Sequence, residues 1–114
     1  MAKYVRNLTG DFRGLLNVVE QGILGGSVSA TLEDSADYNT GDVNVAVRVF
    51  ERYSWLGGNR LSLSVTLVGH GSDLFISGIT SGGSQAVFFK INTFGEGAFL
   101  DKFAAIVDGF RQHG

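Results

Sequence analysis

From Gly10 onward the apolar residues Phe12, Leu15, Leu16, Val19 and Ile23 recur three, four, seven and eleven positions apart, which sets them on one face of a 3.6-residue period. The spacing predicts a helix, with Thr9 or Asp11 capping its first turn and Gly25-Gly26 ending it. Ahead of it, Lys3 to Leu8 is short and flanked by polar residues, the pattern of an edge strand or a loose arm. Beyond the glycines, Ser27 to Leu32 alternates with period two and runs into the polar stretch Glu33 to Asp42, read as an acidic loop.

Alternation is cleaner in the next stretch. Val43, Val45, Val47 and Val49 point one way, and Asn44, Ala46, Arg48, Phe50 and Arg52 the other, with the valines expected to face the core. A turn over Trp55-Leu56-Gly57-Gly58-Asn59 precedes Leu61, Leu63, Val65 and Leu67, which alternate with Ser62, Ser64, Thr66 and Val68. Turns at Gly69 to Asp73 and at Ser81 to Ser84 lead into Leu74 to Ile79 and Ala86 to Ile91. Runs joined by short glycine-rich turns make an antiparallel meander. The last two runs carry large apolar residues on both faces, so a second apolar sheet face centred on Phe50, Phe75, Ile79 and Phe88 is expected to be covered by something.

Thr93-x-x-Glu96 has capping-box spacing and predicts a second helix starting there. Its stripe of Phe99, Leu100, Phe103, Ile106, Val107 and Phe110 closes over the valine and leucine rows. Three phenylalanines on one helix face bury on the order of 450 Å². The fold class is α+β: an N-terminal helix, a curved antiparallel meander of four to six strands, and a C-terminal helix packed across the sheet. Residues 1–114 read as a single domain, without a linker, repeat or low-complexity segment.

Composition narrows the function classes. Apolar residues make up 44% of the 114 and charged residues 18%, which places the chain among ordered globular domains. The charged fraction is below the roughly 25% of an ordinary domain, which favours a homo-oligomer. A net charge of −2 provides no basic field for nucleic acid, and no nucleic-acid partner is expected. The absence of cysteine excludes disulfides, thiolate metal sites and a cysteine nucleophile, and makes a cytoplasmic location the simple expectation. No stretch reaches the ~20 apolar residues of a membrane span, and no membrane partner is expected. Seventeen glycines without a proline imply loose hairpin turns.

Candidate chemistry is sparse. His70 is the only interior histidine and lies between two glycines in a turn. Glu33, Asp34, Asp37, Asn39 and Asp42 offer oxygen ligands, but Gly41 and Arg48 stand where the calcium-loop spacing needs ligands, so no metal is expected. Gly69-x-Gly71 leads into a strand, which fails the dinucleotide fingerprint, and no Gly-x-Ser-x-Gly elbow occurs. No catalytic residue and no cofactor are assigned. Arg48 and Arg52, two pleats apart, can converge with Ser62, Ser64 or His70 on a small anionic ligand, and Arg48, Arg52, Tyr53 and His70 form the candidate ligand set.

The stretch Asn59 to Gly69, the Ser81-Gly82-Gly83-Ser84 turn and the closing helix together resemble a small bacterial family of single-domain proteins known as a domain of unknown function. More loosely, a meander followed by a helix resembles the helix-grip proteins, the lipid-transfer and polyketide-cyclase-like superfamily, and the sheet-and-helix unit of TATA-binding-like folds. The function expected is a non-catalytic small-ligand-binding or protein-interaction domain, dimeric through Phe50, Phe75, Ile79 and Phe88, or binding a small apolar ligand there. The alternative is a helix-grip-type cyclase or hydro-lyase acting on an apolar substrate with His70, Arg48 or Tyr53, which the loose resemblance implies.

Overall fold

The computed structural model of the chain describes residues 1–26, 30–54, 59–82 and 89–113. Its elements run β1 (Ala2–Thr9), α1 (Phe12–Gly26), β2 (Thr31–Thr40), β3 (Val43–Ser54), β4 (Asn59–His70), β5 (Asp73–Gly82) and α2 (Phe89–His113). The strands form one antiparallel sheet in the order β1-β5-β4-β3-β2. The expected α+β meander is present, and Lys3 to Leu8 belongs to an edge strand hydrogen-bonded to β5. Because β1 and β2 occupy opposite edges, α1 carries the chain from one edge to the other across one face.

The start of α1 follows from Asp11, whose Oδ2 accepts the Gly14 amide at 2.8 Å and so satisfies one of the orphan donors of the first turn. Its buried residues, Leu15, Leu16, Val19 and Ile23, are those of the predicted stripe. On α2 the same holds for Phe99, Phe103 and Val107, all fully buried. That helix begins earlier than the capping-box spacing predicts, and Phe89 to Ile91, read as the end of a strand, form its first turn. The rest of that expected strand, with Phe88, lies outside the described residues, as do the turn residues 55–58 and the stretch 27–29.

Two expectations on the sheet are corrected. The stretch from Glu33 to Thr40 is strand, paired with β3 across a bulge between Leu32 and Asp34. Every residue of β2 is exposed, and an edge strand tolerates acidic residues because its outer row is solvated and its charges discourage further pairing. The second correction is the orientation of β3. Ala46, Arg48 and Phe50 are buried under the helices, and the valines face the other way. Ser54 pairs with Asn59, which leaves the four residues 55–58 between strands where a five-residue turn was expected. That one-residue difference sets Ala46, Arg48, Phe50 and Arg52 opposite Leu67, Val65, Leu63 and Leu61, because a slip of one exchanges the two faces of a strand.

The two hairpins whose connections are described are tight, where the glycine count implied loose turns. Two residues join the paired ends Thr40 and Val43, and two join His70 and Asp73, with Gly41 and Gly71 at φ 57° and 61°. Both helices lie on one face, α2 mainly over β5 and β1 and α1 over β4 and β3. They cross where Gly22 meets Ile106, and an added Cβ there would come within 2.6 Å of the Ile106 Cδ1. The core therefore occupies a single layer between two helices and one sheet face.

Candidate functional site

On the helix side, Arg48 is the one charged residue buried among the described residues, at 7% exposure. Its Nε donates to Glu20 of α1 at 2.5 Å, and its Nη1 donates to Asp37 of β2 at 2.8 Å and to the Val47 carbonyl at 2.9 Å. Burial alone would pull its pKa down, but the hydrogen bonds and charges of Asp37 and Glu20 outweigh that and raise it above the ordinary guanidinium value. Arg48 thus ties the uncovered edge strand to α1. Arg48 lines a groove of about 360 Å³ with Arg13, Asn17 and Glu20, and its partner Asp37 lines another of about 190 Å³ with Asn39 and Asn44.

The predicted ligand set does not converge. Arg48 and Arg52 share the helix-covered face, whereas Ser62 and Ser64 pair with Glu51 and Val49 on the opposite one. The guanidinium of Arg52 lies 5.5 Å from the centre of the Phe99 ring, a cation–π contact, and its buried Nε has no hydrogen-bond partner among the described residues. His70 stands in solvent at one end of the sheet, its Nε2 3.1 Å from Asp42 of the neighbouring turn. Tyr53 is ten positions from Val43, the residue that pairs with His70, so about 33 Å of strand separates Tyr53 from His70. Tyr53 and His70 thus stand towards opposite ends of the sheet, and the four side chains do not meet at one point. No group of three or more His, Asp or Glu is placed to hold a metal among the described residues.

The predicted interface set splits. Phe50 is fully buried in the core, under the helices. Phe75 and Ile79 lie on the opposite sheet face at 37% and 39% exposure, and Phe88 is outside the described residues. On that face the register lines side chains into rows across all five strands. One row is Val5, Ser77, Thr66, Val47 and Ala36, and the next is Asn7, Phe75, Val68, Val45 and Tyr38. Neither row contains a charge. Charges stand further out, at Lys3 and Asp34 in the row through Ile79, Ser64 and Val49, and at the Arg60–Glu51 ion pair of 3.1 Å.

Tyr38, Val45, Val47 and Val68 are the residues sequence reasoning missed on this face. The signal that finds them is the pairing of β3 with β4: once the leucine row is taken as core, the pairing of Ser54 with Asn59 sets the four valines on the same face as Ser62, Ser64 and Thr66, with Val47 opposite Thr66 and Val49 opposite Ser64. Five strands about 4.8 Å apart, each with about ten residues rising about 3.3 Å, give a face of roughly 800 Å². Both helices pack their buried residues on the other side. Among the described residues, no helix is long and apolar enough to cross a membrane.

Residues 1–111 match the model of a family described as Family of unknown function (DUF6054), and the chain belongs to that family. Among curated proteins, none matches the chain.

Proposed function

We propose that the chain is a non-catalytic interaction domain that pairs with a second copy of itself through the sheet face that neither helix covers. The observation that carries this reading is the pair of uncharged rows at the centre of that face, with Phe75, Val45, Val47 and Val68 among them. The two rows together span about 24 Å by about 13 Å, roughly 300 Å², the size of the largest patch on a typical monomer, which is often a functional surface. The whole face, charged rim included, spans roughly 800 Å² in plane, comparable to what each partner contributes to a standard protein interface. Charge depleted at the centre and retained at the rim is the usual anatomy of such a contact. A second copy suits the face because an uncharged centre meets its own image without repulsion, and paired sheets stack about 10 Å apart.

Sedimentation equilibrium on the full chain tests the reading. The wild type is expected at twice the chain mass, and Val47→Asp, which puts a carboxylate at the centre of the contact, at one chain mass with an unchanged circular dichroism spectrum. A wild type that stays at one chain mass up to the highest attainable concentration would refute self-association.

A further inference from the structure

The two edges of the sheet carry opposite charge. Strand β1 bears Lys3 and Arg6 and no carboxylate, whereas β2 bears Glu33, Asp34 and Asp37 and no cation. On the uncovered face, Lys3 and Asp34 end the same row, one at each edge, with Ile79, Ser64 and Val49 between them. The side of each residue is fixed by its neighbours, since Tyr4 stacks edge-on against Phe103 and Asp37 reaches Arg48 on the helix side.

We infer that two copies pack about a two-fold axis running along the strands above β4, so that β1 of each copy lies across β2 of the other and Lys3 meets Asp34 of the second copy. This rests on the proposed pairing through the sheet face and specifies its geometry. A contact between identical faces is isologous, and stacked sheets keep their strands within about 30°. The axis then runs either along the strands or across them. Across them, each edge strand lies on its own counterpart, acidic on acidic, and no opposite charges meet. Along them, two Lys3–Asp34 contacts form per dimer, against one meeting of Arg60 with its own copy at the end of β4, where each guanidinium is already paired with Glu51. Side-chain size agrees with this choice. The large residues Phe75 and Ile79 of β5 then lie over Val45 and Val49 of β3, and the small residues Ser64 and Thr66 of the central strand over themselves. The other axis would set Phe75 and Ile79 of one β5 against the β5 of the second copy and thicken one side of the stack only.

The test is a charge-exchange cycle measured by sedimentation equilibrium at low salt, using wild type, Lys3→Glu, Asp34→Lys and the double variant. Both residues are exposed, so the variants are expected to fold, and circular dichroism checks that they do. Each single exchange is expected to weaken the dimer about tenfold, and the double variant to return within about threefold of wild type. The single effects should shrink at high salt, where such pairs are screened. A double variant as weak as the two singles combined would overturn the axis assignment while leaving the face itself in place, provided Val47→Asp still dissociates the wild-type dimer. A wild type that never dimerises would fail the underlying reading instead. Species growing past the dimer with concentration would overturn the assignment too, because an edge-to-edge contact of β1 with β2 is heterologous and does not close.

Discussion

Gly78 of β5 lies flat beneath the ring of Phe103, and an ideal Cβ at that position would be 2.5 Å from Cε2 and 2.7 Å from Cδ2 of the ring. The ring is fully buried, with Tyr4 against its edge at 6.0 Å between centroids. Gly78→Ala therefore drives the ring, and α2 with it, outward by about 1 Å to restore van der Waals contact. Overpacking of this kind costs about 1–3 kcal/mol, and about 0.5–1 kcal/mol returns because alanine loses less backbone entropy than glycine in a strand. The net is a loss of about 1–2 kcal/mol, which lowers the melting temperature of a chain of this length by about 4–8 °C. Phe103→Leu alone opens a void and costs about 1–2 kcal/mol. Combined with Gly78→Ala, it removes the ring that the new methyl strikes, so the double variant should lose at least about 1 kcal/mol less than the sum. Thermal and urea unfolding of the four proteins measures this. A neutral or stabilising Gly78→Ala, or strict additivity, would refute the packing argument.

Two further outcomes follow from polar contacts. Arg48→Met keeps the apolar stem and removes the charge that joins α1 to β2. It should cost about 1–2 kcal/mol in urea unfolding, below the 3–5 kcal/mol of a fully buried pair because Asp37 stays largely in water. An unchanged midpoint would contradict the role given to Arg48. Tyr4 donates its phenol proton to Asp108 of α2. Burial first, then that hydrogen bond and the Asp108 charge, raise its pKa above the ordinary 10.0. Since the folded value exceeds the unfolded one, this contribution is intact below pH 10 and fades as pH rises through the folded pKa. Tyr4→Phe should flatten part of the alkaline loss of stability, and an identical loss in both proteins above pH 10 would contradict it.

How much of this was legible in the sequence depends on what each element needed. The stripes of α1 and α2 were readable because a 3.6 period names its own buried face, and the leucine row of β4 because leucine against serine leaves no choice. Strand β3 was different. Four valines oppose Ala46, Arg48 and Phe50, both rows are consistent with a half-buried strand, and only the length of the turn before Asn59 decides between them. Strand β2 was hidden for another reason: an edge strand is held by backbone pairing, so its side chains can be wholly polar and read as loop. Arg48 as a buried tie was out of reach, since its partners lie on α1 and β2, 28 and 11 positions away. The candidate face was half visible, through Phe75 and Ile79. Its centre emerged only when the pairing register set the valines on the same face as Ser62, Ser64 and Thr66 of β4.

Thr66 sits at the middle of that face, and the chain has no cysteine, so Thr66→Cys introduces a single reporter of similar size there. The most direct measurement is its rate of reaction with a maleimide as total protein concentration rises, with Asn17→Cys on the exposed side of α1 as the control. If the face is where two copies meet, labelling at position 66 slows as dimer accumulates, and labelling at position 17 does not. Rates at the two positions that stay in constant ratio across the whole range would mean that the sheet remains bare, contrary to the account.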